Sequence, residues 1–207
     1  MSNILISIGR TADLSNRIIN LSQAHSILIA GGSESLRNAL IHSIQVELEA
    51  AAVDAVYVDS KGLSRIDEEV ATIEAFASEV DGRLKYGTPE SEEKVLIVSD
   101  YADYILMPGK DGRSYASRVR KSVEHIAKKG KAAGMHVILV VGRPCVDVLP
   151  NSLKKDFLTR ICFKTLTGVD SFAAIGLRKA CEIEFNQLVL CREYESEVLN
   201  VLPCARD

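Results

Sequence analysis

A glycine turn near the start of the chain has the residue types and the setting of a phosphate-binding site. Residues 25–31 read His-Ser-Ile-Leu-Ile-Ala-Gly and predict a buried strand that runs into the turn. Residues 35–52 then repeat apolar side chains at the spacing of one helical face, as in Leu36, Leu40 and Ile44. Because a phosphate-binding loop requires a strand, a glycine turn and a helix in this order, the chemistry to consider first is the binding and hydrolysis of a nucleoside triphosphate.

The turn departs from a working phosphate-binding loop, G-x-x-x-x-G-K-S/T, at its last three positions. Aligned without a gap, the candidate nucleotide-binding residues are Gly31, Gly32, Ser33, Glu34, Ser35, Leu36, Arg37 and Asn38. Leu36 obstructs an approach that needs glycine, Arg37 replaces the phosphate-binding lysine, and Asn38 replaces the hydroxyl that holds Mg²⁺. Glu34 adds a negative charge where phosphate would lie, which costs about 1 kcal/mol or more at short range. Two interpretations stay open, an unusual working site and a loop kept only as a strand–helix connection, and the residues favour the second.

A long apolar run in the middle of the chain predicts the central strand of a parallel sheet. Residues 135–141 are apolar apart from one histidine and are rich in β-branched residues. They follow a helical pattern that Gly134 can end. Such a strand is buried on both faces when helices cover both sides of the sheet. Residues 142–144, Gly-Arg-Pro, break the strand at its carboxyl end, where open α/β sheets place their functional groups.

Shorter apolar patterns predict the rest of the sheet and its covering helices. Residues 55–59 and 95–100 are typical of two more buried strands, and residues 66–84 are typical of an amphipathic helix between them. Residues 187–191 and 198–202 predict two edge strands that close the domain. Strands that alternate with helices in this way favour a parallel sheet.

Two motifs around the central strand resemble the motor domain of FtsK/SpoIIIE-type DNA translocases. Residues 129–136 read Lys-Gly-Lys-Ala-Ala-Gly-Met-His, where the family has Lys-Gly-(Lys/Arg)-Ala-Ala-Gly-(Ile/Met)-His. Residues 142–148 read Gly-Arg-Pro-Cys-Val-Asp-Val, where the family has Gln-Arg-Pro-Ser-Val-Asp-Val. Two long matches in register are far more specific than a lone glycine motif.

The resemblance continues on both sides of these motifs and covers nearly the whole chain. Residues 159–164 are similar to the family's Ser-Arg-Ile-Ala-Phe-Arg, and residues 169–171 repeat its Val-Asp-Ser. The resemblance implies an α/β, three-layer RecA-like P-loop NTPase fold with a mainly parallel central sheet. We expect a single domain over residues 1–207, with a leading segment over residues 1–24 and the core over residues 25–207. The membrane anchor, the linker and the DNA-reading winged helix of complete translocases are not expected in it.

The resemblance also implies which residues would hydrolyse ATP. Residues 99–103, Ser-Asp-Tyr-Ala-Asp, align with the family's Asp-Glu-(Leu/Phe)-Ala-Asp. Ser99 then occupies the position of the Mg²⁺-organising aspartate, and Asp100 that of the glutamate that activates water, so Asp100 is the candidate catalytic residue. A slip of one residue would instead place Tyr101 at the base position. Neither register keeps an intact acid pair, and the alternative is that Asp100 and Asp103 only cap the following segment.

A third difference from the family pattern lies at the end of the central strand. Gly142 stands where the family has a glutamine that senses the γ-phosphate, and glycine has no side chain with which to sense it. Arg143 and Arg160 are the candidates for a sensor or a trans-acting arginine, with a surface salt bridge as the plainer interpretation of Arg160. Three departures at one chemical site point to abandoned hydrolysis.

Basic residues cluster between residues 110 and 131, although the chain as a whole has a formal net charge of −3. A basic patch can contact DNA phosphates, and the resemblance implies that the loop around residues 108–113 lies near the central pore of a ring. The DNA-contact candidates are Lys110, Arg113, Lys128, Lys129 and Lys131. The alternative is a solvated helix face without a ligand.

Composition excludes several other classes of protein. With 207 residues and 47% hydrophobic content, the chain can bury one sizeable core. The 5 cysteines are odd in number and lack Cys-x-x-Cys spacing, and the 4 histidines are scattered, so we predict buried free thiols and neither a disulfide framework nor a metal site. No apolar run is long enough to span a membrane and the amino terminus does not resemble a signal peptide, so a cytoplasmic location is expected.

These patterns predict a catalytically degraded FtsK/SpoIIIE-like domain that serves as a non-hydrolysing structural or interaction subunit of a DNA-translocation or secretion-type assembly. The alternative is a divergent but active ATP-dependent DNA translocase motor, in which Arg37 stands in for the lysine. The first hypothesis expects no cofactor, and the second expects ATP and Mg²⁺. The expected partners are further copies of the chain or an active FtsK-like ATPase, with double-stranded DNA and a protein segment in the unused pocket as further candidates.

Overall fold

The described part of the chain contributes nine strands to one sheet. The computed structural model describes residues 4–60, 65–87, 92–107, 114–193 and 195–202. The strands are β1 Leu5–Arg10, β2 Asn16–Asn20, β3 Ser26–Ala30, β4 Asp54–Asp59, β5 Lys94–Ser99, β6 Met135–Val141, β7 Thr159–Phe163, β8 Gln187–Arg192 and β9 Glu195–Asn200. Their order across the sheet is β2-β1-β9-β8-β7-β3-β6-β5-β4.

The strand order identifies the fold. Strands β7, β3, β6, β5 and β4 are parallel, and numbered in chain order from β3 they lie in the order 5-1-4-3-2. Strands β8, β9, β1 and β2 extend this sheet in antiparallel pairs. The predicted RecA-like P-loop fold with a mainly parallel central sheet is therefore confirmed.

Helices cover both faces of the sheet and bury two main cores. They are α1 Leu21–Ala24, α2 Glu34–Ala50, α3 Ile66–Tyr86, α4 Tyr101–Leu106, α5 Ala116–Lys129, α6 Asn151–Lys154 and α7 Gly168–Ile175, with 3₁₀ segments at Gly130–Ala133 and Lys179–Cys181. Because alternate residues of a strand point to opposite faces, Leu28 of β3 packs in the core beneath α3 and α5, whereas Ile27 and Ile29 pack beneath α2. The central strand β6 coincides with the predicted residues 135–141, and Gly134 adopts the expected left-handed conformation with φ 64°.

The antiparallel extension differs from the prediction. β8 lies between β7 and β9, and β9 lies between β8 and β1, so the prediction that residues 187–191 and 198–202 are edge strands is wrong. The edges are β2 and β4. An ion pair between Arg17 of β2 and Glu197 of β9 spans β1 and joins residues 180 positions apart. No pattern in the sequence predicts β2, because Asn-Arg-Ile-Ile-Asn is short and does not alternate polar and apolar residues.

The described residues also bear on the class of protein. None of the described helices is both long and apolar enough to cross a membrane. Cys162 and Cys191 are buried and Cys145 and Cys181 half-buried, all as free thiols, while Cys204 lies outside the described residues. Within the same described ranges, no group of three His, Cys, Asp or Glu side chains is arranged to hold a metal ion.

Candidate nucleotide site

The loop that would bind phosphate is short. β3 ends at Ala30 and α2 begins at Glu34, so only Gly31, Gly32 and Ser33 lie between them. Ser33 is the N-cap of α2, and its hydroxyl oxygen accepts a hydrogen bond from the Leu36 amide at 3.3 Å. The other five candidate residues, 34–38, therefore belong to the first turns of α2 and not to a loop that wraps around phosphate.

Both glycines are required by the packing of this loop against β7. Gly31 and Gly32 have φ of 72° and 67°, a region that other residues rarely adopt. A Cβ on Gly32 would lie 2.6 Å from Cβ of Phe163, and a Cβ on Gly31 would lie 2.9 Å from the Phe163 carbonyl oxygen. The Gly31 amide donates to the Val141 oxygen at 3.1 Å, and the Gly32 amide donates to the Lys164 oxygen at 3.0 Å. These two amides are held by neighbouring parts of the chain, whereas a phosphate-binding loop turns its amides towards the ligand.

The guanidinium of Arg37 lies against the carbonyl side of the loop. Arg37 is only 7% exposed. Its Nη1 donates to the carbonyl oxygens of Gly31 at 3.1 Å and Gly32 at 2.9 Å. Its Nη2 lies 3.7 Å from Oδ1 of Asp100. On another side, a Cβ added to Gly142 would lie 2.8 Å from Nη2, so the absence of a side chain at residue 142 provides the space for the guanidinium.

Asp100 faces Arg37 from the end of β5. It follows Ser99, the last residue of the strand, and has a left-handed backbone conformation with φ 47° and ψ 43°. Its side chain makes no capping hydrogen bond to α4, and the Asp103 carboxylate accepts a hydrogen bond from the Ser60 hydroxyl at 2.7 Å. Asp100 is thus the N-cap residue of α4 without a side-chain capping bond, and Asp103 lies in the first turn of that helix. The candidate catalytic carboxylate instead pairs with Arg37.

The neighbours of Asp100 along the chain are poorly suited to hydrolysis. Ser99 is buried and carries a hydroxyl where a metal-binding carboxylate is needed. Tyr101, which the slipped register puts at the base position, is fully buried, and burial raises the pKa of its hydroxyl above the ordinary value of 10. A phenol with a raised pKa stays protonated near neutral pH and cannot accept a proton from water.

The remaining candidates for the phosphate-binding loop differ in how deeply they are buried. Leu36 is half-buried and packs against the core beneath α2. Glu34 and Asn38 are exposed on the first turns of the same helix. The structure thus brings Arg37 and Asp100 together.

The two further arginine candidates differ in their contacts. Arg143 is exposed and directly follows Gly142. Arg160 is half-buried, and its Nε donates to the Phe157 oxygen at 2.7 Å and its Nη2 to the Lys154 oxygen at 3.1 Å. Its described partners are therefore two backbone carbonyls of its own chain and not a surface carboxylate. A sensor or trans-acting role for either arginine stays a prediction.

Acidic side chains neutralise part of the basic face at the end of α5. Lys128 lies 3.7 Å from each of two carboxylates, and Lys129 lies 3.8 Å from one. The partners are Glu124 and Asp156 for Lys128, and Asp81 for Lys129. Lys131 is exposed in the 3₁₀ segment, whereas Lys110 and Arg113 lie outside the described residues. The ion pairs favour the alternative of a solvated helix face for Lys128 and Lys129.

The contact between Arg37 and Gly142 is the feature that the sequence does not reveal directly. In the sequence the two residues are separate departures from the family pattern, more than a hundred positions apart. One signal does point to the contact, because an arginine larger than the usual lysine accompanies a glycine much smaller than the usual glutamine. Such a compensating change in volume is expected of residues that touch.

Sequence comparison finds FtsK proteins of several bacteria, although no protein-family profile matches the chain. The DNA translocase FtsK of Bradyrhizobium diazoefficiens is 38% identical over 82 residues, which cover 40% of this chain. The FtsK of Rhizobium meliloti is 31% identical over 125 residues, which cover 55% of this chain. The matched regions span only 9% and 13% of the length of these two relatives.

Structure comparison finds conjugation and secretion ATPases. The pCW3 conjugation coupling protein TcpA, solved with ATPγS, has a TM-score of 0.81 at 15% identity, with 96% of this chain and 66% of TcpA covered. The cytoplasmic domain of the type VII secretion ATPase EccC of Thermomonospora curvata has a TM-score of 0.74 at 13% identity, with 96% and 28% covered. ATPases 2 and 3 of EssC from Geobacillus thermodenitrificans give 0.68 at 11% identity, with 98% and 44% covered. The chain is therefore similar in sequence to FtsK DNA translocases and has the RecA-like fold of P-loop ATPases, as the motifs around the central strand predict.

Proposed function

We propose that the chain is a catalytically degraded FtsK/SpoIIIE-like domain, a pseudo-ATPase that serves as a structural or interaction subunit of a DNA-translocation or secretion-type assembly. The observation that carries the proposal is the contact of Arg37 with the carbonyls of Gly31 and Gly32 and with Asp100. It places a cation and its acceptors where a working site would present amides to phosphate.

Phosphate binding would require this loop to be rebuilt. The Gly31 and Gly32 amides would have to leave the Val141 and Lys164 oxygens, and their carbonyls would have to release Arg37. Residues 34 and 35 would also have to leave the first turn of α2 to lengthen the loop. Each hydrogen bond contributes about 1 kcal/mol, so the rearrangement costs several kcal/mol before any contact with phosphate forms.

Hydrolysis would lack its acid pair as well. Metal-assisted hydrolysis needs one carboxylate to organise Mg²⁺ and another to activate water. Asp100 faces the site but pairs with Arg37, and Ser99 offers a buried hydroxyl. These residues do not fit ATP with Mg²⁺, and the proposal includes no cofactor.

The proposed partner is another domain of the same type, either a further copy of this chain or an active FtsK-like ATPase. An apolar strip beside the loop supports this: Leu166, Val169 and Phe172 are 91%, 71% and 59% exposed and recur every third residue along α7 and the segment before it. The strip adjoins the loop, because Cγ2 of Thr165 lies 3.1 Å from where a Cβ of Gly31 would be. Exposed apolar strips of this kind mark interaction surfaces. The EssC structure, which comprises two ATPases, gives a further reason to propose a partner of this fold.

Two other partners have less support. Double-stranded DNA remains a proposed partner through Lys131 and through the candidates outside the described residues. A protein segment held in the nucleotide pocket is not part of the proposal, because the Arg37 guanidinium already contacts the loop carbonyls and Asp100 there.

Titration with a fluorescent ATP analogue and Mg²⁺, up to millimolar concentration, tests the proposal. We expect no saturable binding and no ATP hydrolysis on double-stranded DNA, with an active FtsK motor domain as the positive control. The variant Leu36→Gly, Arg37→Lys, Asn38→Ser restores the loop residues and should still fail to hydrolyse ATP, because Ser99 and Gly142 are unchanged. Steady DNA-stimulated hydrolysis by the wild-type protein would overturn the proposal.

The active-motor alternative makes its own prediction. If Arg37 replaces the phosphate-binding lysine, turnover should be measurable in the wild-type protein and abolished by Arg37→Ala. A wild-type rate that survives this substitution would instead indicate a contaminating ATPase, so the comparison separates a weak motor from an impurity.

A further inference from the structure

We propose that the phosphate site of this fold has become a cation site, in which the loop and Asp100 form a cage for a planar guanidinium and Arg37 is its built-in occupant. The inference deepens the proposed function and rests on it. It assigns the site a ligand class, guanidinium cations, that is opposite in charge to the nucleotide phosphates that the fold is otherwise expected to bind.

The acceptors around Arg37 define the cage. Two backbone carbonyls, those of Gly31 and Gly32, accept from the same Nη1, and the Asp100 carboxylate lies beside Nη2. The side chains of Arg37 and Asp100 are 8% and 21% exposed, so little water screens the pair. The two carbonyl oxygens thus hydrogen-bond one arm of the guanidinium, and the carboxylate lies at ion-pair distance from the other arm.

The position of Arg37 in α2 shows why these acceptors are needed. Arg37 is the fourth residue of the helix, close to the end where the helix dipole favours anions and disfavours cations. A buried cation at this place is stable only if other groups offset the dipole and the lost hydration. The two carbonyls and Asp100 provide that compensation.

Gly142 completes the cage by leaving room for it. A Cβ at this residue would lie 2.8 Å from Nη2 and 3.2 Å from Cζ of Arg37, so the guanidinium would have to shift from its position against its acceptors. The loss of a side chain at residue 142 is therefore explained by the space that the arginine takes, and it need not be a separate loss of γ-phosphate sensing.

The cage has a testable consequence for ligands. If Arg37 is shortened, the vacated space is lined by two carbonyl oxygens and a carboxylate, which attract a small planar cation and repel phosphate. A free guanidinium compound should therefore occupy the space and restore stability. ATP or pyrophosphate should not do so.

Thermal unfolding of Arg37→Ala with and without methylguanidinium tests this inference. We expect Arg37→Ala to unfold about 5 °C or more below the wild type, because the loop carbonyls and Asp100 lose their contacts with the guanidinium. Methylguanidinium at low millimolar concentration should recover a large part of this shift, whereas methylammonium should recover less, and urea, which has the same shape without charge, none. Arg65→Ala is the matched control, since Arg65 is exposed in an ion pair with Glu68 and its loss should neither destabilise the protein nor respond to methylguanidinium.

The outcomes separate this inference from the proposed function. No recovery by methylguanidinium, or stabilisation of Arg37→Ala by pyrophosphate or ATP, would overturn the cation site even if the wild type binds no nucleotide. Nucleotide binding by the wild type would overturn the proposed function first. Should Arg37→Ala not fold, the unfolding temperatures of Arg37→Lys and Arg37→Gln decide: a cation site requires the lysine variant to be the more stable, and the opposite order would contradict it.

Discussion

Gly142, the first residue after β6, lies so close to the guanidinium of Arg37 that a methyl group would fit between them only if the guanidinium shifted. Through this one side chain, the ends of three parallel strands meet: the loop after β3 by its carbonyls, the end of β5 by Asp100, and the end of β6 by Gly142. In a working ATPase, nucleotide and metal occupy the corresponding region. Here an internal contact links the same three strand ends.

We expect Gly142→Ala to destabilise the protein by about 1 kcal/mol, because the Arg37 guanidinium must shift and its hydrogen bonds to the loop carbonyls weaken. In an Arg37→Ala background the same substitution should cost little, since the group that it displaces is gone. Urea unfolding of the four proteins in this cycle measures the difference. Gly82→Ala in α3 is the control, because a Cβ there meets nothing within 4 Å and should stabilise the helix by up to about 1 kcal/mol. Equal costs of Gly142→Ala in both backgrounds would contradict the contact.

A second prediction at this scale concerns a buried histidine at the opposite end of β3. The Nε2 of His25 lies 2.7 Å from the Ala127 carbonyl oxygen, and its ring packs edge-on to His136. Burial lowers the pKa of His25 from 6.5 to about 4, and burial likewise lowers the pKa of His136 although Glu93 opposes the shift. Between pH 6.5 and about 4 the unfolded chain therefore binds more protons than the folded one, so stability is complete above pH 6.5 and falls as the pH drops.

We expect the contribution of His25 to amount to about 2 kcal/mol lost by pH 5. His25→Asn should make the free energy of unfolding less dependent on pH between 7 and 5, whatever its effect at pH 7. Urea unfolding at a series of pH values measures this, with His42→Asn, an exposed histidine of α2, as the control that should follow the wild-type curve. An unchanged pH dependence in His25→Asn would show that this histidine is not held neutral by the fold.

The strand–turn–helix pattern is enough to place Arg37 and Asp100 at one edge of the sheet, because parallel strands end together there. It does not predict that they touch. Whether the arginine of the loop points to a ligand or back to its own carbonyls depends on backbone directions at Gly31 and Gly32, which can turn either way in glycine. The residue types therefore predict which residues form the site. The directions of the peptide groups at Gly31 and Gly32 determine whether the loop presents carbonyls to a cation or amides to an anion.

At the scale of elements, the start of α2 determines the length of the loop. Residues 34 and 35 belong to the helix because Ser33 caps it, so three residues remain to connect it to β3. A side-chain cap provides a hydrogen-bond acceptor for a helix amide that could otherwise bind a ligand. The Ser33 cap therefore also explains why the loop is shorter than a phosphate-binding loop.

Ser33→Ala should lower the free energy of unfolding by about 1 kcal/mol, because the Leu36 amide loses its acceptor. Ser35→Ala is the matched control: it removes a hydroxyl from the same turn that contacts the Ser33 hydroxyl and no backbone amide, so its effect should stay within about 0.5 kcal/mol. Urea unfolding at neutral pH distinguishes the two. Equal effects, or no effect of Ser33→Ala, would mean that the helix begins later and that the loop is longer in solution.

Elements differ in how well the sequence predicts them, for physical reasons. The sequence predicts both ends of β6 correctly, because a strand that is buried on both faces consists of one apolar run. Here a helix-ending glycine precedes the run and Gly-Arg-Pro follows it. The sequence does not predict the positions of β8 and β9 in the sheet. These positions depend on the pairing of β9 with β1, which lies far away in the sequence. Local patterns predict a strand and say little about its neighbours.

At the scale of the whole molecule, apolar surface is distributed unevenly. Five of the large apolar side chains that are exposed in the described residues lie between residues 166 and 185, on α7 or close to it in the sequence. They are Leu166, Val169, Phe172, Leu177 and Phe185. Of these, Leu166 is next in sequence to Thr165, which contacts the loop, whereas Leu177 lines a cavity with Leu158 and Arg160 at the other end of β7.

We expect Phe172→Asp to reduce self-association without loss of stability, because the side chain is exposed and a carboxylate in an apolar contact is costly to bury. Sedimentation velocity over a concentration series should show association of the wild type and a shift towards monomer in the variant. Tyr86→Asp, at an exposed position at the end of α3, is the control and should behave as the wild type. A wild type that stays monomeric at the highest concentration would leave α7 without a role in self-association.

The pairing of β1 with β9 has a consequence for synthesis on the ribosome. The hairpin of β1 and β2 is synthesised long before β9, yet Arg10 of β1 pairs with Asn200 of β9, and Arg17 and its ion-pair partner Glu197 are 180 positions apart. At 5–20 residues per second, the nascent hairpin must wait about 10 s or more for its partner strand. During that interval the edge of β1 that β9 will occupy has unpaired backbone groups and is open to pairing with other strands.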